Sequence, residues 1–252
     1  MNKTAPVTLN ADLGEGLGLH SFGNDEKLTE LIDLANVACG FHAGDPSVMR
    51  QTVSIAIKNG VKIGAHPGLP DLAGFGRRKM QLNREEVRDL LLYQVGALRA
   101  FVQFKGDELH HIKPHGALYG MLAGDKDLMY AAAEVCQRFN LPFMGMYGTE
   151  HERVCAETGV EFIGELYVDL DYNDEGQLII QRTPQQPAPE QVAARLKQAL
   201  EQQHVESING KQLPVRFDSV CVHSDGPQSV QIAQACAEVL GDHAVTPLGG
   251  TS

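Results

Sequence analysis

The sequence predicts an α/β barrel, and three observations support this fold class. Short apolar or β-branched runs alternate with longer amphipathic runs, which gives about seven successive βα units. Most of the best-placed histidines and acidic residues stand just after the short runs. The length of 252 residues suits one barrel domain over residues 1–252. Because the carboxyl ends of parallel strands converge on one mouth, this arrangement is typical of an enzyme.

Seven strands and six helices are assigned from these runs. The strands are predicted at residues 7–11, 36–39, 61–65, 109–112, 142–146, 160–165 and 219–222. The helices are predicted at residues 25–34, 46–59, 84–104, 125–139, 189–202 and 228–240. The second helix has the clearest beginning, because Asp45 is a favoured N-cap residue and Pro46 suits the first helical position.

Two segments depart from the simple repeat and indicate hairpin insertions. Residues 172–176 form a turn that leads into an extra strand at 177–180. The dipeptide of Asn209 and Gly210 is a typical hairpin turn. No internal repeat or linker composition divides the chain, so a single domain is expected.

Charge and cysteine content narrow the class of protein. The formal net charge of -11 disfavours binding to nucleic acid or to an anionic membrane surface. Five cysteines without a C-x-x-C pair argue against a disulfide framework and a zinc knuckle, which favours the cytoplasm. No apolar run is long enough for a signal peptide or a membrane span.

The first motif places Asn10, Asp12 and Glu15 in and before a glycine-rich turn. A dinucleotide-binding fingerprint needs a glycine where this chain has Leu19, so the motif does not predict a Rossmann fold. Asp12 is a candidate catalytic residue, and Asn10 and Glu15 are candidate substrate-binding residues. The alternative is a structural turn in which Asp12 accepts hydrogen bonds from backbone amides.

The second motif, at residues 36–46, supplies Asn36 as a candidate for substrate binding and His42 as a candidate for catalysis. Small residues around His42 leave room for its imidazole to enter a cavity, although a buried core histidine is the alternative.

The third motif, at residues 64–78, supplies His66 as a catalytic candidate. Its two arginines, Arg77 and Arg78, suit an anionic substrate, and at least one of them is expected to pair with a surface acid.

The fourth motif contains Lys113, which strand alternation places on the same face as His111. A lysine inside a barrel mouth needs an anion, which Asp12, Glu165 or the substrate could supply. His115 is a further catalytic candidate. Tyr119 is a candidate for substrate binding, with a place in the core as the alternative.

Two further carboxylate-bearing segments follow predicted strands. Glu165 and Asp169 belong to one, and His223 and Asp225 belong to the other. A carboxylate beside an imidazole is a workable acid/base pair, so His223 is a catalytic candidate and the three acids are substrate-binding candidates. The alternative for His223 and Asp225 is that they cap the last helix.

Five blocks together resemble the LamB/YcsF family. They are LNADLGEG at residues 9–16, NVACGFHAGDP at 36–46, GAHPGLPDLAGFGRR at 64–78, HIKPHGALY at 111–119 and VCVHSDGP at 220–227. The resemblance implies a distorted seven-stranded β/α barrel, TIM-like and of the glycoside hydrolase or deacetylase type. It also implies the A subunit of an ATP-dependent 5-oxoprolinase, which hydrolyses the lactam of 5-oxo-L-proline to L-glutamate with partner subunits B and C.

The chain departs from the family pattern near the end of the sixth strand. Where the family usually has Glu-x-Phe-Ala-Asp-Arg-x-Tyr, Leu170 replaces the arginine. Ser224 and Gly226 stand where glycine and asparagine are usual. If the arginine holds a substrate carboxylate in the family, its loss bears on the substrate or on the activity of this chain.

The mechanistic hypothesis assigns Lys113 and Arg77 to anionic oxygens and Asp12 or His115 to activation of water. His42, His66 and His223 would polarise or protonate the ring amide. Replacing Lys113 with methionine is expected to abolish turnover and to leave the fold intact. No G-x-x-x-x-G-K-[ST] loop is present, so ATP with Mg is expected to be bound by, or shared with, a partner subunit.

Two other classes of function are kept open. One is a metal-dependent amidase or deacetylase, with Asp12, His42, His66 and His115 as the metal ligands and His223 as a further possible ligand. The other is a barrel that binds its ligand without catalysis, for which the change at Leu170 is the motive. A homo-oligomer is also compatible with the sequence.

Overall fold

Seven parallel strands close into a barrel in this computed structural model, which describes residues 6–20, 23–179 and 187–245. The strands are β1 (Thr8–Leu13), β2 (Leu34–Ala38), β3 (Lys62–His66), β4 (His111–Ile112), β5 (Phe143–Gly145), β6 (Phe162–Tyr167) and, after a hairpin, β9 (Ser219–Val222). Neighbouring strands follow one another along the chain, and β9 closes the barrel between β6 and β1. The predicted seven-stranded β/α barrel is therefore confirmed.

Eight α-helices lie in the described ranges. They are α1 (Asp25–Leu28), α2 (Pro46–Lys58), α3 (Arg84–Phe104), α4 (Gly116–Gly124), α5 (Lys126–Phe139), α6 (Glu150–Thr158), α7 (Pro189–Gln202) and α8 (Ser229–Val245), with a short 3-10 turn at Leu72–Gly74. The predicted N-cap is confirmed, because the Asp45 carboxylate accepts hydrogen bonds from the first turn of α2. None of these helices is long and apolar enough to cross a membrane.

Helices α4 and α6 were not predicted, the helix predicted at residues 228–240 continues to Val245, and two further predicted elements differ from the structure in form. The helix predicted at residues 25–34 ends at Leu28, because the backbone of Asp33 already bonds to Leu9 of β1 and strand β2 begins at Leu34. The extra strand predicted after Tyr172 is a single bridge between Tyr172 and Leu178, and residue 180 lies outside the described ranges.

The second hairpin insertion has the predicted form. Strands β7 (His204–Glu206) and β8 (Gln212–Pro214) pair antiparallel around the turn that contains Asn209 and Gly210. They form a two-stranded sheet separate from the barrel.

The barrel interior contains a polar layer that the strand register brings together. Asp12 of β1 lies opposite Asn36 of β2, which lies opposite Gly64 of β3, which lies opposite His111 of β4. Gly64 provides the space for this layer, since a Cβ atom there would lie 2.2 Å from Nε2 of His111. Below and around this layer the core is apolar, and it continues between the strands and the surrounding helices.

Candidate active site

A cavity opens at the carboxyl ends of the strands, where most of the predicted site residues meet. Ten of the fourteen candidates line it, namely Asp12, Glu15, His66, Arg77, Lys113, His115, Tyr119, Asp169, His223 and Asp225. The other four, Asn10, Asn36, His42 and Glu165, are buried and do not contribute to the lining in the described part of the chain. Strand ends therefore bring together residues separated by up to about 210 positions, as a barrel enzyme requires.

Lys113 lies at the centre of a buried ion cluster. Its Nζ is 2.7 Å from Oδ1 of Asp12 and 2.9 Å from Oε1 of Glu165, and it also donates to Sγ of Cys221 at 3.1 Å. Its side chain is 1% exposed. Burial acts to lower the pKa of Lys113, but the nearby anionic groups, Asp12 foremost, raise it well above the usual range. The predicted need of Lys113 for an anionic partner is thus met within the protein, by both of the acids that the sequence offered.

The side chains of Asn36 and Asn10 form a buried hydrogen-bonded chain that begins at Asp12. The Nδ2 of Asn36 donates to Oδ1 of Asp12 at 2.9 Å and to Oδ1 of Asn10 at 2.8 Å. Asn10 in turn donates to Oγ of Ser219 at 2.8 Å, and Oδ1 of Asn36 is 2.7 Å from Nε2 of His111. Asn36 therefore orients the Asp12 carboxylate, and Asn10 holds Asn36 in place. Both were predicted to bind substrate, but neither is part of the cavity lining.

Three imidazoles and Glu15 form a second cluster beside Asp12. Nε2 of His66 is 3.0 Å from Nδ1 of His115 and 3.3 Å from Oδ2 of Asp12. Oε1 of Glu15 is 3.1 Å from Nε2 of His42 and 3.4 Å from Nδ1 of His115. The rings of His42 and His115 stack, with centroids 3.7 Å apart and an interplanar angle of 4°. The four side chains are close enough to hold a metal ion.

Burial controls the charge of this second cluster. It lowers the pKa of His42 and of His115 well below the usual value, so both rings are neutral at neutral pH. It raises the pKa of Glu15, and the negative charge of Asp12 adds to that effect against the opposing influence of His115. The rings of His42 and His115 therefore bring no positive charge to Glu15, whereas Lys113 brings one to the ion cluster around it.

His223 and Asp169 form a further ion pair in the cavity, with a ring nitrogen of His223 within 4.8 Å of a carboxylate oxygen of Asp12. Nδ1 of His223 is 3.0 Å from Oδ2 of Asp169, and the backbone amide of His223 also donates to that oxygen at 2.8 Å. Burial acts to lower the pKa of His223, but the charge and hydrogen bonds of Asp169 outweigh it and raise the pKa to about 9. His223 is thus a charged imidazolium at neutral pH, with its Nε2 proton still available.

The two arginines of the third motif have different partners, and the acid that pairs with Arg78 is buried, not on the surface as expected. Arg78 binds Asp71, with Nε 2.9 Å from Oδ2, and its own side chain is exposed. Arg77 lines the cavity, where its Nη2 is 3.1 Å from Oδ2 of Asp225 and its guanidinium lies over the ring of Phe75. Arg77 is therefore the arginine placed to meet a ligand.

Several alternatives that the sequence left open are now decided by position. Asp12 belongs to strand β1 and pairs with Lys113, so it is not a capping residue of the turn. Helix α8 begins at Ser229, and His223 and Asp225 contact Asp169 and Arg77 instead of capping it. Tyr119 is buried and also lines the cavity, so it belongs to both the core and the site.

Two kinds of lining residue escaped the sequence reasoning. Tyr167 lies on the same face of β6 as Glu165, and strand alternation would have placed it in the cavity. Leu170 and Leu178 make part of the wall apolar, and Leu170 is the residue that departs from the family pattern. Leu178 comes from the hairpin insertion, and its place in the wall depends on a bridge to Tyr172 that no local signal in the sequence specifies.

Known proteins resemble this chain over nearly its whole length. The sequence model of the LamB/YcsF family matches residues 7–249. The 5-oxoprolinase A subunit of Thermococcus onnurineus (strain NA1) is 43% identical over 249 residues, which covers 96% of this chain and 98% of that protein. The lactam utilization protein lamB of Emericella nidulans is 40% identical over 238 residues, covering 93% of this chain and 94% of that protein.

A solved structure gives the same result. The crystal structure of the lactam utilization protein from Thermus thermophilus superposes with a TM-score of 0.87 at 38% identity, covering 95% of this chain and 98% of that one. A putative cellobiose-phosphate cleavage protein from Enterococcus faecalis V583, at 13% identity and a TM-score of 0.54, shares the fold alone. The family match, the two relatives and the Thermus structure show that this chain belongs to the LamB/YcsF family.

Proposed function

We propose that this chain hydrolyses the lactam of 5-oxo-L-proline to L-glutamate, coupled to hydrolysis of ATP. Its relatives are named as the A subunit of 5-oxoprolinase and as a lactam utilization protein. The observation that carries the proposal is the cavity itself, which holds the imidazolium of His223 together with buried carboxylates and the neutral imidazole of His115. Amide hydrolysis needs a proton donor and a proton acceptor around one bond, and this cavity supplies both.

Arg77 is the proposed anchor for the carboxylate of 5-oxoproline. One of its nitrogens binds Asp225, and the remaining N–H groups of the guanidinium can bind an anion in a bidentate manner. Its side chain is 16% exposed, so the ion pair with a substrate would be partly desolvated. The family's usual arginine is absent at Leu170, and Leu170 and Leu178 instead offer an apolar wall for the ring methylenes.

The segment that carries Leu170 is fixed by a different arginine. Nη1 of Arg195, on α7, donates to the carbonyl oxygens of Val168 at 3.2 Å and of Leu170 at 2.6 Å. Nη2 of Arg195 is 3.0 Å from Oδ1 of Asp171. The Arg195 guanidinium thus fixes the backbone of the cavity wall. Arg77 is the arginine that remains to bind the carboxylate of 5-oxoproline.

His223 is the proposed general acid. As water adds to the ring carbonyl carbon and the C–N bond breaks, the departing nitrogen takes the Nε2 proton of His223. Asp169 holds the ring through Nδ1 and keeps it protonated until then. Asp12 or His115, both in the cavity wall, accepts the proton of the attacking water, and Asp12 alone is left for this role if a cation occupies Nδ1 of His115.

ATP is proposed to activate the lactam. A five-membered lactam is a weak electrophile, and transfer of the γ-phosphoryl group to the amide oxygen would activate the carbon and supply a driving force. The sum uses one ATP and two water molecules and yields ADP, phosphate and glutamate. Because the chain lacks a P-loop motif, subunits B and C are proposed to bind or share the nucleotide and its Mg.

The test is reconstitution of the complex. The chain is co-expressed with candidate subunits B and C, and glutamate and ADP are measured from 5-oxoproline. We expect equal amounts of the two products, and no glutamate when ATP or either partner is left out. His223→Gln should lower the rate about 100-fold or more, whereas His204→Asn, in the separate hairpin, should retain it. A complete complex that binds 5-oxoproline without releasing glutamate would instead identify a non-catalytic subunit.

Arg77→Lys separates binding from chemistry in the same assay. Lysine keeps the charge but loses the planar fork, so KM for 5-oxoproline should rise about tenfold or more with a smaller effect on kcat. Arg78→Lys is the matched control, because Arg78 pairs with Asp71 and has an exposed side chain. Equal KM values for wild type and Arg77→Lys would remove Arg77 as the anchor.

A further inference from the structure

The hydrogen bonds of His66 and His115 leave two ring nitrogens facing each other. Nδ1 of His66 lies 2.8 Å from the carbonyl oxygen of Lys113, and Nε2 of His115 lies 2.8 Å from the carbonyl oxygen of Phe75. A carbonyl only accepts, so each of these nitrogens carries its ring's proton. The other nitrogen of each ring, Nε2 of His66 and Nδ1 of His115, faces its counterpart at 3.0 Å and is the position at which that ring can bind a cation.

Carboxylate oxygens surround the same point. Oδ2 of Asp12 is 3.3 Å from Nε2 of His66, and Oε1 of Glu15 is 3.4 Å from Nδ1 of His115 and 3.9 Å from Nε2 of His66. Four acceptor atoms thus converge at a site where all four side chains are buried. Acceptors at such distances repel one another unless a proton or a metal cation lies between them.

We propose that Glu15, His66, His115 and Asp12 form a binding site for one divalent transition-metal cation of the zinc type. The inference goes beyond the proposed lactam hydrolysis and does not depend on it. Asp12 and His66 lie near the ends of strands β1 and β3, Glu15 lies two residues beyond β1, and His115 lies three residues beyond β4 at the N-cap of α4. The barrel fold itself therefore brings the four ligands together.

The distances fit a tetrahedral cation. With bonds to nitrogen and oxygen of about 2.0 to 2.1 Å, the edges of a tetrahedron are about 3.3 Å long. The four separations given above run from 3.0 to 3.9 Å and scatter around that value. The protons on the outer nitrogens of both imidazoles are bound by backbone carbonyls, which is how metal-binding histidines are usually oriented.

His42 is assigned to the outer sphere of this site. Its ring is parallel to that of His115 at a centroid distance of 3.7 Å, so a cation in the plane of the His115 ring lies well outside the plane of His42. Nε2 of His42 instead lies 3.1 Å from Oε1 of Glu15 and can donate to it. His42 therefore orients Glu15, whereas the sequence had suggested it as a direct ligand.

Charge balance and ligand type favour this class of cation. Asp12, Glu15 and Glu165 bring three carboxylates into the buried region, and Lys113 neutralises one of them. A divalent cation would neutralise the remaining two. Mixed imidazole and carboxylate ligands suit zinc and its neighbours, whereas magnesium and calcium prefer oxygen alone. All four ligands also line the cavity, so a cation can enter the site from solvent, and four protein ligands complete a tetrahedral coordination sphere.

The test uses the purified full-length chain without substrate or partner subunits. Metal is removed with a chelator, Zn(II) is titrated by calorimetry, and bound zinc is counted by mass spectrometry after gel filtration. We expect one equivalent for the wild type. Glu15→Gln and His66→Asn should weaken binding about 100-fold or more, His42→Asn by about 10- to 100-fold with unchanged stoichiometry, and the control His204→Asn not at all.

Cobalt(II) gives a second measurement. Visible d–d bands of tetrahedral intensity are expected in the wild type and not in Glu15→Gln, and they report the site even if a His66 variant fails to fold. A wild-type chain that binds no zinc, or Glu15→Gln and His66→Asn variants that bind it as well as wild type, would overturn the proposal. Because the assay contains no lactam, a failure of the proposed hydrolysis would leave the zinc result unchanged.

Discussion

Lys113 pairs with two buried carboxylates at once, which the sequence had offered as alternative partners. Two buried carboxylates, Asp12 and Glu165, lie within 3 Å of its ammonium group, so its charge is used by the protein before any substrate arrives. It also lines the cavity, and its effect on a ligand is therefore an effect of the whole ion cluster. This changes the expected outcome of removing it.

Lys113→Met should lower the free energy of unfolding by about 3 to 5 kcal/mol, because two carboxylates are left buried without their counter-ion. The expectation of an intact fold is therefore replaced by one of marked destabilisation, measured by urea unfolding. Lys126→Met is the matched control, since its pair with Glu157 is exposed and should contribute about 0 to 1 kcal/mol. Equal losses in the two variants would contradict the buried cluster.

The pair of His223 and Asp169 predicts a pH dependence of stability. The pKa of His223 is about 9 in the folded protein, above its usual 6.5, so its contribution is complete below pH 6.5 and is lost as the pH rises through 9. The pKa of Asp169 is held below 3.8 by His223 against the effect of burial, so that side of the pair is lost only in acid. The pair should therefore stabilise most between about pH 4 and pH 6.5.

Asp169→Asn measures this contribution. Between pH 5 and pH 6.5 the variant should be less stable than wild type by on the order of 2 to 3 kcal/mol. The difference should shrink at pH 9.5, where His223 is neutral in both proteins. Urea unfolding at the two pH values gives the comparison, and a difference that stays constant with pH would show that His223 is not charged in the folded protein.

At the scale of the elements, small residues in the strands decide what fits inside the barrel. Gly64 of β3 lies opposite both Asn36 and His111, and the imidazole of His111 occupies the space that a side chain would fill. That imidazole binds Asn36, which in turn binds Asp12. A change in one strand is therefore transmitted to the carboxylate at the end of another.

Gly64→Ala should destabilise the protein by about 1 to 3 kcal/mol, because the new Cβ would lie 2.2 Å from the His111 ring. It should also lower activity by displacing Asn36 and with it Asp12. Gly96→Ala, within α3, meets no atom within 4 Å and should stabilise by about 0.5 to 1 kcal/mol. Thermal melts of the two variants should therefore shift in opposite directions, and a shift of both in the same direction would contradict the packing argument.

Element boundaries were predictable where the chain carries a local signal. Helices α3 and α7 have the predicted bounds, because Asn83 and Glu86 form a capping box and Pro189 occupies the first position of α7. Helix α4 was not predicted, since Ala117, Leu118, Tyr119 and Leu122 bury several sides of it and leave no clear polar face. Helix α1 ends earlier than predicted, at Leu28, because Asp33 makes contacts with β1, and no local pattern in the sequence reveals these contacts.

At the scale of the whole molecule, the sequence could predict which residues reach the mouth but not how they pair. Position after a strand was enough to select Asp12, His66, His115 and His223. The approach of Nε2 of His66 to Nδ1 of His115 depends on ring orientation. The contact of His42 with Glu15 depends on stacking between His42 and His115, which lie in the segments after β2 and β4. Such relations arise from closure of the barrel, because β1, β3 and β4 bring distant segments side by side.

The barrel also explains why one cavity can carry two separate charge environments. The ion cluster around Lys113 and the imidazole cluster around Glu15 share Asp12, which presents Oδ1 to the first and Oδ2 to the second. His223 faces them with its own counter-ion, Asp169. A ligand in this cavity would thus meet a proton donor, His223, close to the carboxylate of Asp12, and the proposed lactam hydrolysis needs both groups.

A crystal structure of the chain with 5-oxoproline tests this arrangement most directly. We expect the ligand carboxylate within hydrogen-bonding distance of the Arg77 guanidinium, its ring against Leu170 and Leu178, and its ring nitrogen within reach of Nε2 of His223. A ligand bound outside the cavity, or bound with its amide turned away from both His223 and Asp12, would contradict the assignment of this cavity as the hydrolytic centre.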